Sequence, residues 1–216
     1  MTVISVLNPK GGSGKTTLST NIARCLHERG KRVLVVDSDP QGSARDWHAA
    51  DDANPLPLVA LDRPNNIKTI SNMSGNYDFI IIDGAAKLED MIAAAIKVSD
   101  FILIPVQPSP YDIWAASDLV DFVKARQDVT DGKPAAAFVV TRRIEGTKLG
   151  EDVRAALDEY ALSIFSTAVT QRQVYPQSAS EGRTVFDHEN QKARDEIGAV
   201  TDEIAAMLHT SVSDGV

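Results

Sequence analysis

The run Asn8-Pro9-Lys10-Gly11-Gly12-Ser13-Gly14-Lys15-Thr16-Thr17 concentrates lysine, glycine and hydroxyl side chains in one short stretch. That combination suits a polyphosphate. Glycines let successive backbone N–H groups converge on anionic oxygens, and a helix beginning there adds the positive end of its dipole. Lys15 would neutralise the outer phosphate oxygens, and the Thr16 hydroxyl would reach Mg2+. The usual phosphate-loop spacing places a glycine five residues before Gly14, where this chain has Pro9. It has instead a second lysine, Lys10, inside the loop.

Acids form the second chemical set. Asp37-Ser38-Asp39-Pro40-Gln41-Gly42 places two carboxylates on either side of one residue and then stiffens the backbone with Pro-Gly, an arrangement able to hold metal-bound water and orient a nucleophilic one. Taken alone, it reads equally as a solvated turn. Tyr77-Asp78-Phe79-Ile80-Ile81-Ile82-Asp83-Gly84 closes an apolar run with Asp83, which would hold a Mg2+-bound water, while Gly84 lets the backbone approach the γ-phosphate. His27, His48, His188 and His209 show no metal-ligand spacing, and Cys25 falls on the apolar face of a helix.

The elements that must position these groups alternate between strand and helix. Val3 to Leu7 reads as a strand, and Leu18, Ile22, Cys25 and Leu26 share one helical face. Further apolar runs at Val33–Val36, Phe79–Ile82, Phe101–Val106 and Ala135–Val140 have the unbroken character of buried parallel strands, with a weak strand at Leu58–Leu61 and another at Ile164–Val169. Helices are expected around Trp47, at Ala93–Val98, at Ala115–Arg126 and from Gln191 to His209, the last with Ile197, Val200, Ile204 and Leu208 on one stripe. The fold class is therefore α/β: a doubly wound, mostly parallel sheet with helices on both faces and ligand at the strands' C-terminal edge.

At 216 residues and 43 % hydrophobic, the chain suits one soluble domain spanning 1–216. No apolar run is long enough to span a bilayer, and the single cysteine fits the cytoplasm. The formal charge of −8 argues against nucleic acid until it is divided along the chain. Asp195, Glu196, Asp202, Glu203 and Asp214 face no base between 195 and 216, whereas Arg142 to Arg194 carries eight bases and eight acids. A local basic surface is compatible with the total.

The Lys10-Gly11-Gly12-Ser13-Gly14-Lys15-Thr16-Thr17 stretch resembles the deviant Walker A motif of the ParA/MinD/Soj ATPases, nearest to short ParF-like plasmid partition ATPases. The resemblance covers most of the chain and implies a P-loop NTPase of the deviant Walker A class with ATP and Mg2+ as cofactors. It implies that Lys10 crosses an ATP-sandwiched dimer to the partner's nucleotide, making Lys10, Lys15 and Asp39 the catalytic set. Residues Lys10, Gly11, Gly12, Ser13, Gly14, Lys15, Thr16 and Thr17 would bind ATP. Asp37-Ser38-Asp39-Pro40-Gln41-Gly42 resembles the family's second aspartate-bearing segment, in which Asp39 positions the attacking water and Asp37 lies nearer the metal, alongside Thr16 and Asp83. Gln107-Pro108-Ser109-Pro110-Tyr111-Asp112 is similar to a stretch at the family's dimer face. Thr141-Arg142-Arg143 stands where the family contacts adenine, which nominates Arg142, although two arginines also suit plain surface charge. Thr170 to Tyr175 resembles a segment implicated in DNA binding, with Arg172 at the matched position; an exposed arginine at a helix start is the other reading.

The function so implied is an ATP-dependent DNA partition ATPase of weak intrinsic turnover. The ATP-bound homodimer, or a polymer, would bind non-specific DNA across the nucleoid and be released when a centromere-binding partner protein stimulates hydrolysis. With its first strand at the very start, the sequence leaves no place for an N-terminal helix-turn-helix domain, and the acidic tail argues against a membrane-binding helix. Two alternatives remain: a positioning ATPase for another cargo, and a biosynthetic ligase of the dethiobiotin-synthetase type, which has no need of Lys10.

Overall fold

The computed structural model of the chain describes residues 1–73, 75–86, 88–144 and 149–213. Seven strands form one sheet: β1 (Thr2–Val6), β2 (Val33–Asp37), β3 (Leu58–Ala60), β4 (Phe79–Asp83), β5 (Phe101–Val106), β6 (Ala135–Val140) and β7 (Ser163–Ile164). They lie in the order β3-β2-β4-β1-β5-β6-β7, and every pairing is parallel. The crossovers contain α1 (Lys15–Glu28), α2 (Ser43–Ala49), α3 (Pro64–Ile67), α4 (Glu89–Val98), α5 (Pro110–Ala115), α6 (Ser117–Gln127) and α7 (Leu149–Asp158), while α8 (Val174–Ser180) and α9 (Gln191–Ser213) follow β7.

Strand side chains alternate between two cores, as a sheet covered on both faces requires. Ile80 and Ile82 of β4 join Val3, Leu34, Ile102, Ile104 and Phe138 beneath α4 and α6. Ile81 turns the other way to meet Ile4, Val35, Leu103 and Val139 beneath α1 and α9. In α9, Ile197, Val200 and Ile204 are buried and Leu208 packs against the same core, as the stripe predicts. Trp47 is also core, its indole N–H donating to the Arg183 carbonyl at 2.9 Å.

Two expected elements differ. The helix foreseen at 115–126 is α6, and the stiff loop foreseen before it holds a further helix, α5, started by Pro110. The strand foreseen at 164–169 ends at Ile164. Beyond it, the N–H groups of Ser166 and Thr167 are taken by the Glu203 carboxylate of α9 at 2.7 and 2.9 Å, so the backbone leaves the ladder despite its apolar residues.

Register sets the working edge. Val6, Asp37 and Asp83 are level neighbours at the C-terminal ends of β1, β2 and β4. A side chain at Gly84 would place its Cβ 2.6 Å from the Val6 carbonyl oxygen and 2.4 Å from Leu7 Cδ2, so only glycine lets the chain leave β4 there. Among the described residues, no helix is long and apolar enough to cross a membrane.

Candidate nucleotide site

The loop between β1 and α1 owes its shape to two glycines in the left-handed region, Gly12 at φ +76° and Gly14 at φ +101°, the latter capping α1. Neighbouring strand ends grip it. Asn8 donates to the Pro105 carbonyl at 2.7 Å and accepts from the Lys10 N–H at 2.7 Å. Gln107 donates to the Gly12 carbonyl at 2.8 Å, and the Thr141 hydroxyl donates to the Ser13 carbonyl at 2.9 Å. Asn8, Gln107 and Thr141 each open a stretch that the sequence singles out, but their grip on the loop is visible only in the fold.

Lys15 is buried, its ammonium donating to the Lys10 carbonyl at 3.0 Å. Burial pushes its pKa down, against the pull of the Asp83 and Asp39 carboxylates. An incoming phosphate would replace that carbonyl and supply the missing counter-charge. Lys10 points away along the loop and pairs with Asp112 of α5 at 2.6 Å. Asp112 is itself buried, and its other oxygen, Oδ1, has no hydrogen-bond partner. Both lysines thus have partners within the chain, Lys15 on the loop's own backbone and Lys10 on α5.

The acids divide their work more sharply than their spacing suggests. Asp83 accepts from the Thr16 hydroxyl at 2.7 Å and the Ser19 hydroxyl at 3.1 Å. Burial, with the Asp37 charge adding to it, pushes the Asp83 carboxyl up to about 7, against the lowering effect of the two hydroxyls and Lys15. Asp37, expected on the metal side, instead holds its own loop: Oδ1 accepts from the Asp39 N–H at 3.0 Å, and Oδ2 from the Arg45 N–H at 2.9 Å and its Nε at 3.3 Å. The chain turns back after β2, so the start of α2 claims that carboxylate first. Asp39 spans a gap, accepting from the Gln41 N–H at 2.9 Å and, across the sheet edge, from the Ala86 N–H at 3.3 Å.

Thr16 and Asp83 are the oxygens suited to Mg2+. That ion keeps several waters and takes one or two protein oxygens beside the phosphates. Among the described residues no cluster of three acidic, cysteine or histidine side chains could replace the phosphates as its main ligands. A hydroxyl–carboxylate pair at the foot of a phosphate cradle fits this requirement.

Beside Gly14 and Thr17 a cavity of about 380 Å3 opens, lined by Thr141, Arg142, Thr170, Arg172 and Tyr175 among others. Its wall is zipped together where the Arg143 N–H donates to the Val169 carbonyl and the Gln171 N–H to the Arg143 carbonyl, at 3.1 and 3.0 Å. Arg142 enters this wall with φ +52°. Arg172, expected on a DNA-binding face, lines the same cavity and pairs with Glu196 of α9 at 2.7 Å. Burial opposes ionisation of Glu196, but the hydrogen bonds from Arg172 and Thr170 outweigh it and hold its carboxyl below the usual range. Of the other bases in this stretch, Arg183 pairs with Asp51 and Glu181, and Arg194 donates to the Val185 and His188 carbonyls. Lys148 lies outside the described residues.

A phosphate cradle, a hydroxyl–acid pair for Mg2+ and a flanking cavity of nucleoside size are what a nucleotide needs. Residues 4–185 match the family model described as the CobQ/CobB/MinD/ParA nucleotide binding domain. The chain belongs to this family. Maintenance of carboxysome distribution protein A from Halothiobacillus neapolitanus is 32 % identical over 207 residues, covering 93 % of this chain and 95 % of that protein. Sporulation initiation inhibitor protein Soj from Bacillus subtilis is 27 % identical over 227 residues, covering 85 % and 90 %. Among solved structures, cobyrinic acid a,c-diamide synthase from Mycobacterium smegmatis, with a bound ATP analogue and magnesium, shares the fold at a TM-score of 0.78 and 19 % identity, covering 95 % of this chain and 94 % of that one. Family membership places the nucleotide-binding domain without naming what it acts on.

Proposed function

We propose that this chain is an ATP-hydrolysing positioning ATPase that self-associates in ATP and is reset by hydrolysis. The observation that carries the reading is the second lysine: Lys10 stands in the phosphate loop, yet in the single chain it is turned onto Asp112 rather than toward the cradle. A lysine held beside the loop, and releasable to a neighbouring subunit, suits a cycle of association better than a ligase. The likeness to a carboxysome distribution protein favours a cargo other than DNA itself, while the likeness to Soj keeps DNA partition as the second reading.

Each side chain has a stated task in this reading. Lys15 leaves the Lys10 carbonyl for the phosphates, and the Gly12 to Thr16 N–H groups cradle them. Thr16 and Asp83 would hold Mg2+, which would supply positive charge against the developing phosphate charge. Asp39 accepts a hydrogen bond from the attacking water and so aligns it with the terminal phosphorus. The water oxygen bonds to that phosphorus as its bond to the bridging oxygen breaks, and the water's protons leave with the products, ADP and inorganic phosphate. Thr141, Arg142 and the 170–173 segment wall the nucleoside.

The test is phosphate release together with gel filtration in ATP, in ADP and without nucleotide, for wild type and Lys10→Ala. Wild type should release phosphate and enlarge only in ATP, and Lys10→Ala should bind ATP without enlarging. A variant that self-associates as wild type does would sink the role given to Lys10.

A further inference from the structure

Arg45, in the first turn of α2, braces the loop after β2. Its Nη2 donates to the carbonyls of Asp39 at 2.8 Å and Pro40 at 3.1 Å, its Nε donates to Asp37 Oδ2 at 3.3 Å, and its Nη1 lies 3.6 Å from Asp62 Oδ2. One guanidinium therefore joins both acids of the loop and the segment after β3. Space is reserved for it. A Cβ at Gly42 would stand 2.9 Å from Nε and 3.0 Å from Nη2, and Gly42 sits at φ +75°. The Asp37 side chain has no solvent exposure, and Arg45 is the cation paired with it.

These contacts fix peptide planes rather than substrate. Asp39 and Pro40 offer their carbonyls to the same nitrogen, so the backbone on the C-terminal side of Asp39 cannot rotate without breaking two charge-assisted hydrogen bonds. On the N-terminal side, the Asp39 N–H is held by Asp37 Oδ1 at 3.0 Å. With its backbone pinned on both sides, Asp39 extends its carboxylate to the Ala86 N–H across the sheet edge. The same guanidinium also engages Asp37 Oδ2.

We propose that Arg45 is a positioning residue for hydrolysis, its guanidinium locking the Asp39–Pro40 backbone so that the Asp39 carboxylate stands where the attacking water must be oriented. This inference rests on the ATPase reading and on the role given there to Asp39. Only a planar fork of fixed donors can serve two carbonyls and a carboxylate together, so lysine is a poor substitute.

The experiment uses the full chain with Arg45→Ala and Arg45→Lys, measuring ATP affinity by calorimetry, steady-state kcat and KM, and thermal melting. Misplacing a catalytic group by about 1 Å costs roughly 100-fold. The expected result is a kcat lowered by about 10- to 100-fold in both variants, with ATP affinity kept within a few-fold. Methylguanidinium added to Arg45→Ala should restore part of the lost turnover without changing ATP affinity, because the guanidinium position is one-third exposed. Variants matching wild-type kcat, or losing ATP affinity in proportion to kcat, overturn the inference while wild-type turnover keeps the ATPase reading. A wild type that releases no phosphate from ATP overturns both. Should Arg45→Ala fail to fold, Arg45→Lys carries the same two outcomes.

Discussion

Asp83 and Asp37 are level on adjacent strands, both buried, yet they meet different partners and so have different chemistry. Asp83 meets two hydroxyls and, among the described residues, no cation at hydrogen-bond distance, and burial raises its carboxyl from 3.8 to about 7. A raised acid binds a proton in the folded chain that the unfolded chain has already lost. This group's contribution to the stability of the nucleotide-free chain is therefore complete below about pH 4 and is lost as pH rises through about 7. Mg2+ needs the carboxylate, so binding of Mg2+ with ATP should weaken as pH falls below about 7, approaching tenfold per pH unit. Titration of Mg-ATP by calorimetry at pH 6, 7 and 8 should show this dependence in wild type, and Asp83→Asn should bind weakly at all three. Affinity flat across that range in wild type would remove Asp83 from the metal. Asp39 presents the complementary case, since its carboxylate takes two backbone N–H groups and faces the edge rather than the core. Asp39→Ala should keep ATP binding and lose about 100- to 10,000-fold in turnover, measured as phosphate release; a loss of only a few-fold would move the water-orienting role elsewhere.

Elements decide which of these residues can meet. The β1–α1 loop and the acid-ending strands were legible because the chemistry is local: glycine spacing, unbroken apolar runs and a terminal acid are all read within one segment. What escaped the sequence depends on distant segments. Glu203 captures the 166–167 backbone from α9 and shortens β7, Asp112 captures Lys10 from α5, and Arg172 is drawn into the cavity wall by Glu196. No periodicity marks a carboxylate that reaches a loop more than twenty residues away. Gly84 shows both sides of the matter. The sequence marks it as a close-approach glycine, and the fold shows that Val6 and Leu7 of the neighbouring strand come nearest. Gly84→Ala should force β1 and β4 apart at their ends, costing about 1–3 kcal/mol as an overpacked site. In a chain of this length that corresponds to several degrees of melting temperature. An unchanged melting temperature would mean that the β1 and β4 ends relax freely, against the close packing seen there.

The whole molecule carries a formal charge of −8, and a self-associated pair would carry twice that, so attraction to DNA would have to come from a local concentration of bases. Arg172 was the sequence's candidate; its guanidinium pairs with Glu196, and it lines the cavity beside Gly14 and Thr17. Arg172→Glu would set two carboxylates against each other in that wall. It should therefore weaken ATP binding first, and any loss of DNA binding would follow from that. Phosphate contacts are blind to sequence, and each phosphate neutralised costs roughly one log unit of affinity per log unit of salt. The expected outcome for wild type in ATP is equal binding to two unrelated duplexes, with affinity falling steeply from 50 to 200 mM salt and disappearing in ADP. The decisive comparison sets that titration beside ATP affinity for Arg172→Glu. A variant that binds ATP as wild type does and still loses DNA would return Arg172 to the DNA face, against its place in the cavity. Wild type that binds neither duplex in ATP at 50 mM salt would remove DNA as the support and leave another cargo as the object the ATPase positions.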